Sequence, residues 1–427
     1  MDPTSMIPLA AMIGLDWGDE RHDVALQATD AAPVETCRLD HTPAAITAWL
    51  TALAHRFKGE KIGIAIETSR GPIVHALLEA PFVVLYPVNP RSLRRFREAF
   101  SPNGAKDDEP DARLLLALLV KHRTQLTPLQ VDDAATRTLD RLVKHRRAVV
   151  DLRTQLTQRL EATLKEYFPL ALQVAGTDLS SPLACAFLVR WPTLEALQRA
   201  RPATVRKFYT LHHCRSEARI IERLTAIAAA VPLTRDPAII SPSARYVQTL
   251  AQQLLTLAPS LTQLDTDIAD AFAAHPDAAL FASVPGAGPV FAPRLLAAFG
   301  TDRTRFPSAL DMHQRAGIAP ITVRSGKSHS VTWRWATSSF LRQTFHELAG
   351  QSIRYCEWAR LYYAQQRHRG NSHHAALRAL AYKWIRILWR CWKDCTPYDD
   401  ARHVRALADR GSPLTAPLQL QAALATA

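Results

Sequence analysis

The chain has 427 residues, 48% of them hydrophobic, which suffices to bury two or three cores of ordinary size. A formal charge of +13 and an isoelectric point near 9.7 leave excess cation on the surface and point to a polyanion such as nucleic acid. No apolar run reaches membrane-spanning length and the start, Met1–Ser5, lacks the charged lead-in of a secretion signal, so no membrane partner and a cytoplasmic location are expected.

Three short strands open the chain, over Ile13–Asp16, Asp23–Gln27 and Val34–Leu39, separated by turn-rich residues. Pro43–Phe57 has helical periodicity through Ile46, Trp49, Leu50 and Leu53, and Ile62–Glu67 reads as a buried parallel strand. Gly71–Glu79 then forms a helix and Phe82–Leu85 another strand. Three strands able to pair antiparallel, followed by alternating helix and strand, are the layout of a ribonuclease H-like α/β domain. Two of its apolar runs end on acids, Asp16 and Glu67. A carboxylate there gains nothing from the core and is desolvated beside it, which marks it as functional.

Between Pro90 and Arg97 stand four arginines, Arg91, Arg94, Arg95 and Arg97. They are either a solvated helix face or a contact for phosphate. The segment Ser101–Arg113 gathers acids at 107, 108, 109 and 111 just as a helix begins, with Pro110 suited to its first turn and Ala112–Val120 as its apolar continuation. Helix capping by Asp108, with Asp111 three residues on, is one explanation. The other joins them to the strand-end acids: Asp16, Glu67, Asp108 and Asp111 could together hold divalent metal.

Asp132–Phe168 is a long helix whose apolar residues step by threes and fours, from Leu139, Leu142 and Val143 to Leu156, Leu160 and Leu164, as in a coiled-coil or helical-hairpin seam. A second such helix covers Arg245–Ala274, where Pro259 is expected to kink or split it. The two pack on each other or on a second copy of the chain. The Pro-interrupted stretch 170–243 between them reads as a small helical insert. Val284-Pro-Gly-Ala-Gly288 between two helices has the helix-hairpin-helix pattern, whose backbone amides can approach a phosphate. Ala316–Pro320 follows, then Val323–Ser330, a Ser/Gly-rich loop flanked by Arg324 and Lys327. From Trp333 to Tyr398 aromatic and basic residues alternate, the aromatics mostly core at helical spacing and the basic members facing nucleic acid. Six cysteines are scattered, and only Cys391 and Cys395 lie close together, which favours reduced, buried thiols over zinc.

These features resemble the DEDD-type transposases of the IS-one-ten insertion-sequence family, relatives of the Piv DNA invertase that include bridge-RNA-guided recombinases. The amino-terminal likeness lies in the spacing of Lys106, Asp108, Asp111 and Arg113, and the carboxyl-terminal one in the order Ala-Gly-x-x-Pro then Ser-Gly-x-Ser. The resemblance implies a RuvC-like metal-binding domain over 1–128 and a coiled-coil region over 129–278. A carboxyl-terminal transposase domain over 279–400 and a tail over 401–427 complete the expected division. It implies that Ser325 is the nucleophile, with Ser328 in reserve, and that a noncoding RNA pairs with donor and target DNA. It also implies that the acids and the serine meet in a homo-oligomer, a dimer or tetramer. The chain departs from many relatives in having Ala336-Thr-Ser-Ser339 before Phe340-Leu-Arg342, and in a longer insert.

The chemistry follows from the residue types. A serine that attacks a phosphodiester keeps the bond energy in a covalent DNA link, so strands are exchanged and resealed without an external energy source. Carboxylates supply oxygen ligands for Mg²⁺, or Mn²⁺ in its place, with two ions roughly 3.5–4 Å apart as one arrangement. Arg324, Lys327, Arg334 and Arg342 provide cations near the serine. Three other readings stand beside this one: a RuvC-like nuclease or junction resolvase using water, an actin-like sugar kinase starting at Ile13–Gly18, and a non-catalytic nucleic-acid-binding protein.

Overall fold

In the computed structural model of the chain, the described residues are 7–28, 32–100, 111–325, 328–332, 334 and 337–415. They fall into two compact units, Met1–Val131 and Asp132–Ala427.

The first unit runs β1 (Ala11–Asp16), β2 (Arg21–Gln27), β3 (Glu35–Asp40), α1 (Pro43–Arg56), β4 (Ile62–Ile66), α2 (Pro72–Leu78), β5 (Val83–Pro87), α3 (Pro90–Phe100) and α4 (Asp111–His122). The sheet order is β3-β2-β1-β4-β5. The first three strands pair antiparallel, and β1, β4 and β5 pair parallel. Because side chains alternate along a strand, the sheet sorts its residues onto two faces. Ile13, Leu15, Val24, Ile64 and Ile66 pack with Leu53 of α1 and Leu77 of α2. The other face carries Met12, Ala25 and Ala65 against Ala112, Leu115, Leu116 and Leu119 of α4. Gly14 allows that approach, since a Cβ there would run into the Ala112 carbonyl oxygen and the Leu116 amide nitrogen.

In the second unit α5 (Ala134–Tyr167) starts on Asp133, whose side chain accepts from the Thr136 amide at 2.9 Å. The insert contributes α6–α10 (Ala171–Val174, Pro182–Arg190, Leu194–Arg199, Pro202–Leu211, Glu217–Ala229), and α11 (Pro237–Ala273) runs back along α5. Leu156, Leu160 and Leu164 of α5 share a core with Val247, Leu250 and Leu254 of α11 and with the insert aromatics Phe187, Trp191, Phe208 and Tyr209. The long helices therefore pack on each other within one chain. Proline does not split the second one: α11 passes through both Pro242 and Pro259 as one element and begins eight residues before the expected Arg245. The hydrogen bonds lost at the two prolines are outweighed by an apolar stripe that α5 and the insert cover along its length.

After α11 come α12 (Ala278–Ala282), α13 (Gly288–Phe299), α14 (Ala309–Arg315), the hairpin β6 (Ile321–Ser325) and β7 (Ser328–Thr332), then α15 (Ser339–Tyr355), α16 (Glu357–His368), α17 (His373–Lys393) and α18 (Asp400–Asp409). Trp358, Trp384 and Trp392 are fully buried in their core. Each indole N–H still finds an acceptor: the Tyr398 hydroxyl at 2.7 Å, the Ser352 hydroxyl at 2.8 Å and the Gly300 carbonyl at 2.6 Å, respectively. All six cysteines are free, but Cys37 and Cys395 are exposed, so the expected burial holds for Cys185 and Cys356 and fails for these two. Among the described residues no helix is long and apolar enough to cross a membrane.

Candidate active site

Asp16 is the last residue of β1, and Leu15 pairs with Ile66 of the parallel β4, so Asp16 and Glu67 leave the sheet at the same edge. Alternation puts Gly14 and Asp16, like Gly63, Ala65 and Glu67, on the face that α4 covers. The first residue of α4 is Asp111. Gly14 thus does more than relieve a clash: it lets the start of a helix, and with it a third carboxylate, come down on the strand ends.

The electrostatics reflect that gathering. Burial, then the charges of Asp111, Glu67 and Asp23, lift the Asp16 carboxyl from its usual 3.8 to about 6, while Arg97 pulls the other way. Glu67 is raised by burial and by Asp111, and again Arg97 opposes. Arg97 forms a partly buried ion pair with Asp111. Among the described residues no three His, Cys, Asp or Glu side chains already form a ligand set. With a guanidinium on Asp111 and two raised carboxyls beside it, the edge carries surplus negative charge. Carboxylate oxygens are the ligand type that hard divalent cations take.

Two further groups escaped the sequence reading. Asp23 lies directly opposite Asp16 in the β1–β2 register and pairs with Arg38 at 3.5 Å. The signal for it was the strand register, which the sequence does not state. His22 is buried and points to the other face; its Nδ1 accepts from the Gly18 amide at 3.2 Å and its Nε2 lies 2.8 Å from His41 Nδ1. The Gly18 bond makes Nε2 the protonated nitrogen, donating to His41. Burial and His41 hold the His22 pKa below its ordinary value, so it braces the turn after Asp16 as a neutral ring.

The remaining expected site residues are distributed as follows. Asp108, Lys106 and Lys327 lie outside the described residues. Arg91, Arg94 and Arg95 are exposed on α3, where Arg94 pairs with Glu98 at 2.9 Å, and Arg113 is exposed on α4. Ser325 closes β6 and Ser328 opens β7, and the two are Cα partners across the hairpin, so this segment is a paired hairpin and not the expected open loop. Arg324 is exposed one residue before. Arg342 of α15 donates from Nη2 to the Arg334 carbonyl at 3.0 Å and to the Thr337 hydroxyl at 2.8 Å, bracing the chain between hairpin and helix. Gly317, at φ 67, lies against those same groups: a Cβ would strike the Thr337 hydroxyl and the Arg342 side chain. The Ala316–Pro320 motif is thereby locked to the start of α15.

Comparison with known proteins matches two parts of the chain. The DEDD transposase profile of IS110, described as "Transposase", matches residues 13–169, and a second profile, "Transposase IS116/IS110/IS902 family", matches residues 278–364. A mini-circle protein of Streptomyces coelicolor named as a transposase for IS117 is 28% identical over 92% of this chain and 96% of its own. The 42 kDa protein of insertion element IS900 from Mycobacterium paratuberculosis is 27% identical over 91% and 97%, and the 44.8 kDa protein of IS116 from Streptomyces clavuligerus is 26% identical over 90% and 94%. The amino-terminal match takes in Asp16, Glu67 and Asp111, the carboxyl-terminal match takes in the glycine turn and the serine hairpin, and the chain belongs to the IS116/IS110/IS902 family of transposases.

Proposed function

We propose that the chain is an insertion-sequence transposase that works as a site-specific DNA recombinase, cutting and rejoining donor and target DNA through a covalent link to Ser325. The observation that carries this reading is the convergence of Asp16, Glu67 and Asp111 on one sheet edge, where burial and like charge raise Asp16 and Glu67 together. The sheet order supports a ribonuclease H-like, RuvC-like fold for the first unit. Asp16, Glu67, Asp111 and the neighbouring Asp108 would hold Mg²⁺, or Mn²⁺ in its place. When bound, the ion supplies positive charge to the scissile phosphate and its departing oxygen.

The Ser325 oxygen attacks phosphorus, its proton passes to a base, the phosphorus–oxygen bond to the sugar breaks, and the departing sugar oxygen takes up a proton. A sugar hydroxyl from the exchanging strand reverses these steps and restores the serine. Arg324, Lys327 and Arg334 neutralise the phosphate, and Arg91, Arg94 and Arg95 grip backbone elsewhere. By resemblance to its family, a noncoding bridge RNA selects the sequences and a homo-oligomer, dimer or tetramer, assembles on them.

The test is an adduct trap. End-labelled DNA and Mg²⁺ are incubated with the protein, and label is mapped to peptides. Attachment at Ser325 is expected, lost in Ser325→Ala, retained in Ser328→Ala, and abolished by Asp16→Asn or Asp111→Asn. Cutting that survives in Ser325→Ala without an adduct would make water the nucleophile and end the recombinase reading.

A further inference from the structure

A second polar cluster, built on guanidinium groups, lies inside the second unit. A cavity of about 90 Å³ is walled by Arg146 and Arg147 of α5, Pro289, Val290 and Arg294 of α13, and Glu347 of α15. Arg294 is only 6% exposed. Its Nε donates to the Thr344 hydroxyl at 3.0 Å and its Nη1 to Glu347 at 2.9 Å, while its guanidinium sits between the rings of Phe291 and Phe340. Nη2 is buried and has no partner among the described residues. Arg147 repeats the pattern: it reaches Asp151 at 2.7 Å and Glu347 at 3.3 Å, and its buried Nε has no partner among the described residues.

The wall carries three guanidinium groups and one carboxylate, both of whose oxygens are engaged. Asp265 and Asp151, outside the wall, pair with Arg146 and Arg147, so what the cavity lacks is acceptors for Arg294 Nη2 and Arg147 Nε. An unpaired donor on a buried cation has lost its hydration without replacement, a cost that an acceptor inside the cavity would remove. Burial lowers the Arg294 pKa from its ordinary value in spite of Glu347, and the charges of Arg147 and Arg146 lower it further. Pro289 and Val290 belong to the first turn of α13, so the positive end of a twelve-residue helix faces the same space. The room is enough for several waters or one small tetrahedral anion, and too little for a base or a sugar.

We propose that this cavity binds one phosphate group, held by Arg294, Arg147 and the first turn of α13. The group comes either from the backbone of bound DNA or from free phosphate. Only the first source rests on the transposase reading, and binding of inorganic phosphate is measured with no DNA and no strand transfer.

The full chain is titrated with inorganic phosphate at constant ionic strength, followed by phosphorus NMR and by thermal melting. Saturable binding and a rising melting midpoint are expected. Val290→Glu places a carboxylate on the wall and should weaken phosphate binding at least tenfold while the melting transition stays cooperative. Arg147→Gln, which removes a guanidinium from the wall, should do the same if the first variant folds poorly. In a second arm, binding of a short DNA duplex is measured across salt concentrations. A several-fold loss in Val290→Glu, with the salt slope reduced by about one, assigns the phosphate to the DNA backbone. Unchanged DNA binding alongside lost phosphate binding assigns it to a free anion. Absence of saturable phosphate binding together with unaltered DNA binding, or a Val290→Glu protein that responds to phosphate like the native one, overturns the proposal.

Discussion

Replacing Asp16 by Asn tests whether the strand-end acids are held together against their own repulsion. Burial and three neighbouring carboxylates raise Asp16 from 3.8 to about 6. In the unfolded chain the carboxyl returns to its usual value, so between those limits the folded protein binds a proton that the unfolded chain does not. Stability then falls as pH rises through this window, and the cost of the ionised group is fully present above it. A gap of roughly two pH units is worth about 3 kcal/mol for an enclosed group. Asp16 is partly open to water, and screening brings the figure to about 1–2 kcal/mol. Asn keeps the shape and removes the charge. The metal-free Asp16→Asn protein should therefore be more stable than the native one by about that amount near pH 7.5, with the advantage gone by about pH 4. Urea midpoints at four pH values between these limits read the effect directly. Adding Mn²⁺ should reverse the order, because only the native site gains a cation to offset its charge. A difference that stays constant with pH, or an Asn variant less stable near pH 7.5, would refute the account of a repulsive acidic edge.

Three other outcomes follow from named contacts. Gly14→Ala forces a methyl group into the backbone of α4 and should cost about 1–3 kcal/mol in a urea melt, with loss of the Ser325 adduct because Asp111 is displaced. Arg97→Gln removes the counter-charge that lowers both Asp16 and Glu67, so metal-free stability near neutral pH should drop by about 1 kcal/mol while Mn²⁺, followed by paramagnetic resonance, binds several-fold more tightly. An unchanged Mn²⁺ affinity would mean that Arg97 does not compete for the acids. Trp384→Ala empties a fully buried indole site and breaks its bond to Ser352, for an expected loss of about 3–5 kcal/mol in the second unit.

How much of this was legible varies with the range of the interaction. Strands β1, β2, β4 and β5 could be read because their apolar runs are short and bounded by turns, and Asp16 and Glu67 stood out because each ends such a run. Asp23 and His22 could not, since their roles depend on which strand lies beside which, and the pairing of Arg97 with Asp111 spans a stretch whose path the sequence leaves open. The prolines of the insert misled in part, for a local reason. Of the prolines that punctuate the insert, Pro192 and Pro232 do lie between helices, but Pro202 stands at a first helical turn, where a missing N–H costs nothing, and Pro242 lies inside α11. The helix read as one apolar seam in fact serves two cores, Leu139 and Val143 in one and Leu156, Leu160 and Leu164 in the other. The serine hairpin escaped notice because Ser, Lys and His carry little strand propensity, and only the partnering of Ser325 with Ser328 reveals it.

The two polar sites obey one rule, and it can be turned into a joint test. At the acidic edge Asp16, Glu67 and Asp111 face Arg97, and in the cavity Arg294 and Arg147 share Glu347 while each keeps a buried donor with no partner among the described residues. The edge carries more negative charge than Arg97 neutralises, and the cavity holds buried guanidinium donors that its own side chains leave without an acceptor. Asp16→Asn should then stabilise the unliganded protein and blunt its response to Mn²⁺, and Val290→Glu should blunt the response to phosphate. Cross-response, in which the Asp16 variant loses its phosphate effect or the Val290 variant its Mn²⁺ effect, would contradict independent sites, since the two lie in separately packed units.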